Sequence, residues 1–123
     1  MEARQKNRVT LGIEGEEAAA RFLQKKKYTI VVRRFKMFRG EIDIIAYDRG
    51  RTLVFAEVKT RTSENFGFPE ESVTAAKQDQ IRKIAQGYVV KNRLGEIPCR
   101  FDVISVLLSA NGHPIIRHIE NAF

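Results

Sequence analysis

Hydrophobic and polar positions in this chain recur first with a helical period and then with a period of two. From about Leu11 to Lys26, the residues Leu11, Gly15, Ala18, Ala19, Phe22 and Leu23 fall on one apolar stripe, which predicts an amphipathic helix. Thr10 is its expected N-cap. Glu14, Glu16 and Glu17 suit the positive end of such a helix, and the Lys25-Lys26-Lys27 run suits the other. The pattern then shortens. Tyr28 to Phe35, Glu41 to Tyr47 and Arg51 to Thr60 predict three strands. Asp48-Arg49-Gly50 reads as a hairpin turn, with Gly50 supplying a positive φ. On the third strand Leu53, Phe55, Glu57 and Lys59 share one face, and Val54, Ala56, Val58 and Thr60 share the other. Both faces begin apolar, as expected of a buried central strand.

Arg61 to Glu71, with Gly67 and Pro69, reads as a loop. Thr74 then caps a helix to about Asn92, with Ala76, Gln80, Ile84, Ala85 and Tyr88 on or near one stripe, and Gly95 and Pro98 end that region. Phe101 to Leu108 is a fourth strand. An Asn111-Gly112 turn leads to a last one near Ile115 to Ile119. The order α-β-β-β-α-β-β over a single domain, residues 1–123, predicts an α/β sandwich with a mixed central sheet flanked by helices.

Charge adds a direction to this outline. The net charge is +7, and the segment from Arg21 to Arg39 holds eight Lys or Arg residues and no acid. Such a surface favours a polyanion, most often nucleic acid; the competing reading is a solvated face that keeps the protein dissolved. No apolar run approaches the roughly 20 residues of a membrane helix, so no membrane association is expected. The segment MEARQKNRVTLG lacks the apolar core of a secretory signal, and Cys99, the lone cysteine, allows neither an internal disulfide nor a thiolate zinc site. A cytoplasmic location is the expectation.

The chemistry concentrates between Gly40 and Arg61. Glu57 and Lys59, two apart on one strand, point the same way, where a buried strand emerges from the sheet. Asp43 reaches the same place across the hairpin. Two acids held together repel unless a cation lies between them. Lys59 alone would make the group a structural salt bridge; a divalent metal would make it a site for phosphodiester hydrolysis. Glu41 shares the parity of Asp43 and is assigned a capping or salt-bridge role. Arg61 and Lys77 are placed for phosphate contact, although Lys77 reads equally well as a helix-surface charge. Asp102 is expected to form a structural ion pair with Arg100. His113 and His118 show no metal-ligand spacing, and His118 is expected on the exposed face of the last strand. Phe66 and Phe68 either stack on a base or bury their loop.

The blocks GIEGEEAAARFL, GEIDIIA, LVFAEVKTR, FGFPEESVTAAK, RFDVISV and HIENAF occur in that order over nearly the whole chain. In them the chain resembles the YraN-like family of small bacterial proteins, which is similar to the PD-(D/E)xK nucleases and, among those, to the archaeal Holliday-junction resolvases. The resemblance implies a restriction-endonuclease-like fold. It also implies a Mg²⁺- or Mn²⁺-dependent endonuclease acting on DNA, with branched DNA as a candidate substrate and a homodimer as a candidate assembly. By it Asp43 is the motif aspartate, Glu57 and Lys59 the (D/E)xK pair, and Glu16 the first-helix glutamate that joins the site. The metal ligands it implies are Asp43, Glu57 and the Val58 carbonyl. Ile42 stands where the motif has proline. A nucleic-acid-binding protein that keeps the fold without cleavage is the alternative.

Overall fold

In the computed structural model, which describes residues 7–62, 73–109 and 112–123, the first helix begins a turn before its apolar stripe. Helix α1 spans Arg8–Lys25, and its N-cap is Asn7, whose side-chain oxygen accepts from the Thr10 N–H. Asparagine caps as well as threonine does. The exposed first turn, Arg8 to Thr10, carries no apolar period to mark it. Strands β1 (Thr29–Met37), β2 (Gly40–Tyr47) and β3 (Leu53–Thr62) follow, then helix α2 (Ala75–Lys91), β4 (Cys99–Leu108) and β5 (Pro114–Ile119). Thr74 caps α2 as expected, its hydroxyl accepting from the Lys77 N–H. Phe66, Phe68, most of the Arg61–Glu71 loop and Asn111 lie outside the described residues.

The five strands form one sheet in sequence order. Neighbours run antiparallel except β3 and β4, which are parallel and joined through α2. Antiparallel neighbours need only a tight turn; the parallel pair needs a crossover, and α2 supplies it. The two faces of β3 feed two cores. Val54 and Ala56 pack with Ala19, Ala20 and Leu23 of α1, whereas Leu53 and Phe55 pack with Ile81, Ile84, Ala85 and Tyr88 of α2. The sheet is therefore covered on both sides, giving the mixed α/β sandwich of the restriction-endonuclease-like kind. Ile81 rather than Ala76 completes the α2 stripe; Ala76 lies exposed at the start of the helix.

Two turns depart from simple patterning. The β2–β3 turn does not use a left-handed Gly50: Gly50 is absent from the residues with positive φ. Asp48 closes it instead, its Oδ1 accepting from the N–H groups of Gly50 (2.8 Å) and Thr52 (3.2 Å). In the β1–β2 turn, Met37 pairs with Gly40 across two central residues, Phe38 and Arg39, with φ of 52° and 59°. That left-handed turn suits Asn-Gly; a residue with a Cβ costs about 1–2 kcal/mol there. Gly95 and Gly112 take positive φ at no such cost.

Candidate active site

The alternation along β2 breaks at Asp43. Ile42 and Ile45 both pack toward α2, whereas Ile44 packs toward α1. Across from it, Val32 and Phe35 of β1 both face α2, and Arg34 between them has φ 55°. The β2–β3 ladder runs from Tyr47 opposite Leu53 to Ile44 opposite Ala56 and stops there. Asp43 and Glu57 are the next residues on the two strands. The Asp43 carboxylate takes over the place of a ladder carbonyl: its Oδ2 accepts from the Val58 N–H at 2.8 Å.

Glu57 lies on the α2-facing side of β3 and is 8% exposed. Its Oε1 is 3.9 Å from Lys59 Nζ and 4.0 Å from Lys77 Nζ. Its Oε2 is the one buried side-chain oxygen or nitrogen without a hydrogen bond among the described residues. Buried polar atoms are nearly always paired, so this orphan is informative. Burial raises the Glu57 pKa to about 7, with the Asp43 charge adding to the rise and the two lysines opposing it. Burial also raises Asp43, to about 6; the Val58 N–H works against this, and the charges of Glu16 and Glu41 work with it. Both carboxylates are thus held where their negative charge is poorly compensated.

Beside Asp43 opens a cleft of about 770 Å³ at the N-terminal part of α1, lined by Asp43, Val58, Lys59 and Arg61, with Glu16, Arg34 and Glu41 on its sides; Glu57 lies next to it, on the α2 side of β3. Glu16 is 7% exposed and lies in the field of Asp43. Its carboxylate is already held: Arg34 Nε donates to it at 3.1 and 3.2 Å, and Arg33 stands at 3.5 Å. Gly15 lets α1 approach β3 this closely, because a Cβ there would overlap the Thr60 side chain. Glu41, opposite Lys36 in the β1–β2 ladder, lines the cleft, where its charge adds to the rise of Asp43. The Arg61 guanidinium donates to the Thr60 carbonyl at 3.0 Å beside the cleft. Lys77 is placed by α2 beside Glu57, as a counter-ion more than as a surface charge.

The structure thus gathers Asp43, Glu57, Val58 and Lys59 at one strand end, with Glu16 and Arg61 on the cleft and Lys77 behind Glu57. Among the described residues no three His, Cys, Asp or Glu side chains stand arranged as a metal cage. The donor set is two carboxylates, one with a free buried oxygen. That fits a hard cation which keeps most of its waters and takes one or two carboxylates, as Mg²⁺ does. It does not fit a closed site for a soft metal.

Arg33 and Arg34 flank the candidate site through Glu16, and the sequence did not single them out. Their signal was the uninterrupted basic segment, but its pairing with Glu16 depends on packing between α1 and β1.

A second buried acid lies elsewhere on the sheet. Asp102 of β4 is fully buried and accepts from Arg100 Nε and Nη2 (both 2.9 Å), from the Asn121 N–H (3.1 Å) and from His118 Nε2 (2.7 Å). The expected ion pair with Arg100 is present, within a larger network. His118 is not on an exposed face: its side chain is 3% exposed, edge-on to Phe22 and Tyr28. Lys26 Nζ lies 2.9 Å from its Nδ1. An ammonium only donates, so Nδ1 accepts and Nε2–H is left for Asp102. The sequence pattern put His118 outside because period two cannot see a carboxylate waiting on the adjacent strand.

Comparison with known proteins gives a consistent result. The sequence model of the uncharacterised protein family UPF0102 matches residues 15–106. A UPF0102 protein of Trichlorobacter lovleyi is 48% identical over 118 residues, 96% of this chain and 93% of that protein. One from Chlorobaculum tepidum is 51% identical over 118 residues, covering 92% and 91%. One from Caldanaerobacter subterraneus is 45% identical over 119 residues, covering 95% and 97%.

Proposed function

Because the chain belongs to the UPF0102 family, whose description assigns no reaction, its function has to be argued from the site, and we propose a metal-dependent endonuclease that hydrolyses phosphodiester bonds of DNA. One observation carries this reading: two carboxylates withdrawn from water, Asp43 and Glu57, share a strand end with Lys59, and a Glu57 oxygen there has no hydrogen-bond partner among the described residues. A purely structural cluster would satisfy that oxygen. The basic character of the chain supports nucleic acid as the substrate.

Asp43 and Glu57, with the Val58 carbonyl as the further donor implied by the resemblance, would hold Mg²⁺ or Mn²⁺. When bound, the metal would supply Lewis-acid polarisation of a phosphoryl oxygen and a more acidic water. The residues themselves do the rest. The Val58 N–H fixes the Asp43 carboxylate in one orientation. Lys59, on the same strand face as Glu57, presents an ammonium to the phosphate. There it orients the attacking water and offsets the charge that develops on phosphorus-bound oxygen. Water adds to phosphorus, one P–O ester bond breaks, and a phosphate monoester and an alcohol result. Arg34 and Arg61 line the cleft where the flanking phosphates would lie.

Binding without cleavage is the second reading, and one observation favours it: Arg33 and Arg34 already occupy the Glu16 carboxylate, which takes it from a metal at the site. Labelled duplex, single strand, flap and four-way junction, incubated with Mg²⁺ or Mn²⁺ and with EDTA, separate the two. Metal-dependent cutting that Lys59→Ala lacks supports the nuclease. Salt-sensitive binding with no cutting on any substrate supports the second reading.

A further inference from the structure

The β1–β2 turn is costly to build and holds an aromatic ring at the surface. Phe38 and Arg39 both adopt left-handed φ, although neither is glycine or asparagine. Phe38 is 53% exposed. It is nonetheless held in place. A Cβ on Gly87 of α2 would collide with Met37 Sδ and with the Phe38 ring, and a Cβ on Gly40 would collide with Gln80 and Ile84. Two glycines therefore let the turn lie directly on α2. Its Cε2–Cζ edge rests against Gly87, the Lys83 ammonium lies over the ring, 5.1 Å from the centroid, and about half of the residue stays exposed. Lys36 and Arg39 stand beside it, both exposed.

Resting on the nuclease reading for its substrate class, we propose that this turn is a rigid platform on which an unpaired nucleobase stacks, directing the chain to DNA whose bases are unstacked near the scissile phosphate. Charge chooses the occupant. Lys36, Arg39 and Lys83 around the ring complement a phosphate backbone. A symmetric second copy would bring the same basic patch against itself. A base offers a π-face to Phe38 while its phosphates meet the cations, the combination by which single strands are held without sequence preference. Position agrees. Lys36 and Glu41 line both the catalytic cleft and the shallow depression under the turn. From Gly40 to Asp43 along β2 is roughly 10 Å, about three base steps at 3.4 Å each.

The test is binding in EDTA, where cleavage plays no part. Fluorescence anisotropy would compare a single-stranded oligonucleotide, the matching duplex and a gapped duplex carrying 2-aminopurine at the unpaired position. F38A should bind the single strand and the gapped duplex about 5- to 100-fold more weakly, bind the plain duplex within about twofold of wild type, and lose the 2-aminopurine quenching. Its salt dependence should be unchanged, whereas R39A and K83A should each flatten it. F38W should keep the affinity, and quenching of the introduced indole would report stacking directly. F38A binding all three DNAs as wild type does would overturn the platform and leave the turn as a surface for another protein. Equal loss on all three would overturn it as well, because the ring would then be supporting the fold. Wild type that shows the Phe38-dependent preference yet never cuts with Mg²⁺ or Mn²⁺ would sustain the platform and remove the nuclease reading alone.

Discussion

Asp102 and Glu57 are both buried carboxylates, on the adjacent parallel strands β4 and β3, and the sheet treats them in opposite ways. Asp102 accepts from a guanidinium, an imidazole and a main-chain N–H. Burial alone would raise its pKa; the hydrogen bonds from His118, Arg100 and Asn121 outweigh burial and hold it below the usual carboxylate value. Glu57 is shielded from water to a similar degree, has lysines no nearer than 3.9 Å and faces Asp43, so its pKa rises. The difference separates two uses of a buried charge. Where every lone pair is met, the acid fastens elements together: Asp102 ties β4 to β5 and to the Asn121 segment. Where an oxygen is left open beside a second acid, the charge costs stability, and the proposed metal is what would offset that cost.

The sharpest way to break this comparison is to remove one charge from each side. Lys59→Ala should lower metal-dependent cleavage by about 10³-fold, within the range for a group acting on the attacking water, with DNA affinity and thermal stability little changed. Single-turnover cleavage together with a melting curve checks both halves. Asp102→Ala should do the reverse. It takes from buried His118 its carboxylate partner and from Arg100 its shortest one, leaving Arg100 only Glu120 and Asp48 at 3.4 and 3.7 Å, and should destabilise by about 3 kcal/mol, the lower end for breaking a buried ion pair. Urea denaturation measures it. A D102A protein as stable as wild type would show that the network contributes nothing net.

Replacing Glu57 tests the opposite sign. A carboxyl whose folded pKa exceeds its unfolded value binds more protons when folded, so its ionisation costs stability as pH rises. For Glu57 that window runs from its unfolded value of 4.5 to about 7. Glu57→Gln should therefore stabilise the protein by about 1–3 kcal/mol at pH 8 and have little effect near pH 4. Asp102, with a depressed pKa, contributes stability that is present above its unfolded value of 3.8 and lost as pH falls through the lower folded value. The E57Q melting curve should accordingly lose the upper part of its decline, between about pH 6 and 8, while keeping the part below pH 6 that the raised Asp43 sets, and its acid limb. If E57Q melts below wild type at pH 8, Glu57 is satisfied in solution and the reserve-site reading of its open oxygen fails.

Element order and the two-sided burial of β3 were legible because they rest on local periods: 3.6 along Leu11–Lys26 and two along Leu53–Thr60. The grouping of Asp43 with Glu57 followed from a single antiparallel register. What stayed hidden depends on partners distant in sequence. The break in alternation at Asp43 is matched by left-handed Arg34 on the neighbouring strand, which no window along β2 contains. Glu16 meets Arg34 only because α1 crosses β1, and His118 turns inward only because Asp102 awaits it from β4. The Asn7 cap lay beyond the reach of an apolar stripe that begins at Leu11. The Phe38-Arg39 turn carries no turn-forming residue to announce it.

Arg34 gives the smallest expected effect and the finest division between the two uses of charge. Its contact with Glu16 resembles the Arg100–Asp102 pair in chemistry, but the Arg34 side chain is 46% exposed against 14% for Arg100. An ion pair that open contributes about 0–1 kcal/mol. Arg34 also holds φ at 55°, which disfavours any residue with a Cβ. Two substitutions separate these terms. R34A loses the ion pair and keeps the strained backbone; R34G loses the same pair and relieves it. R34G should be the more stable of the two by about 0.5–1 kcal/mol, with wild type close to R34G. Both should free Glu16 alike, so they should share one change in Mn²⁺ affinity, measured by calorimetry, despite their different stabilities. Equal stability of the two variants would mean that the backbone at position 34 relaxes once the guanidinium is gone, and that Glu16 itself holds Arg34 in the left-handed conformation opposite Asp43.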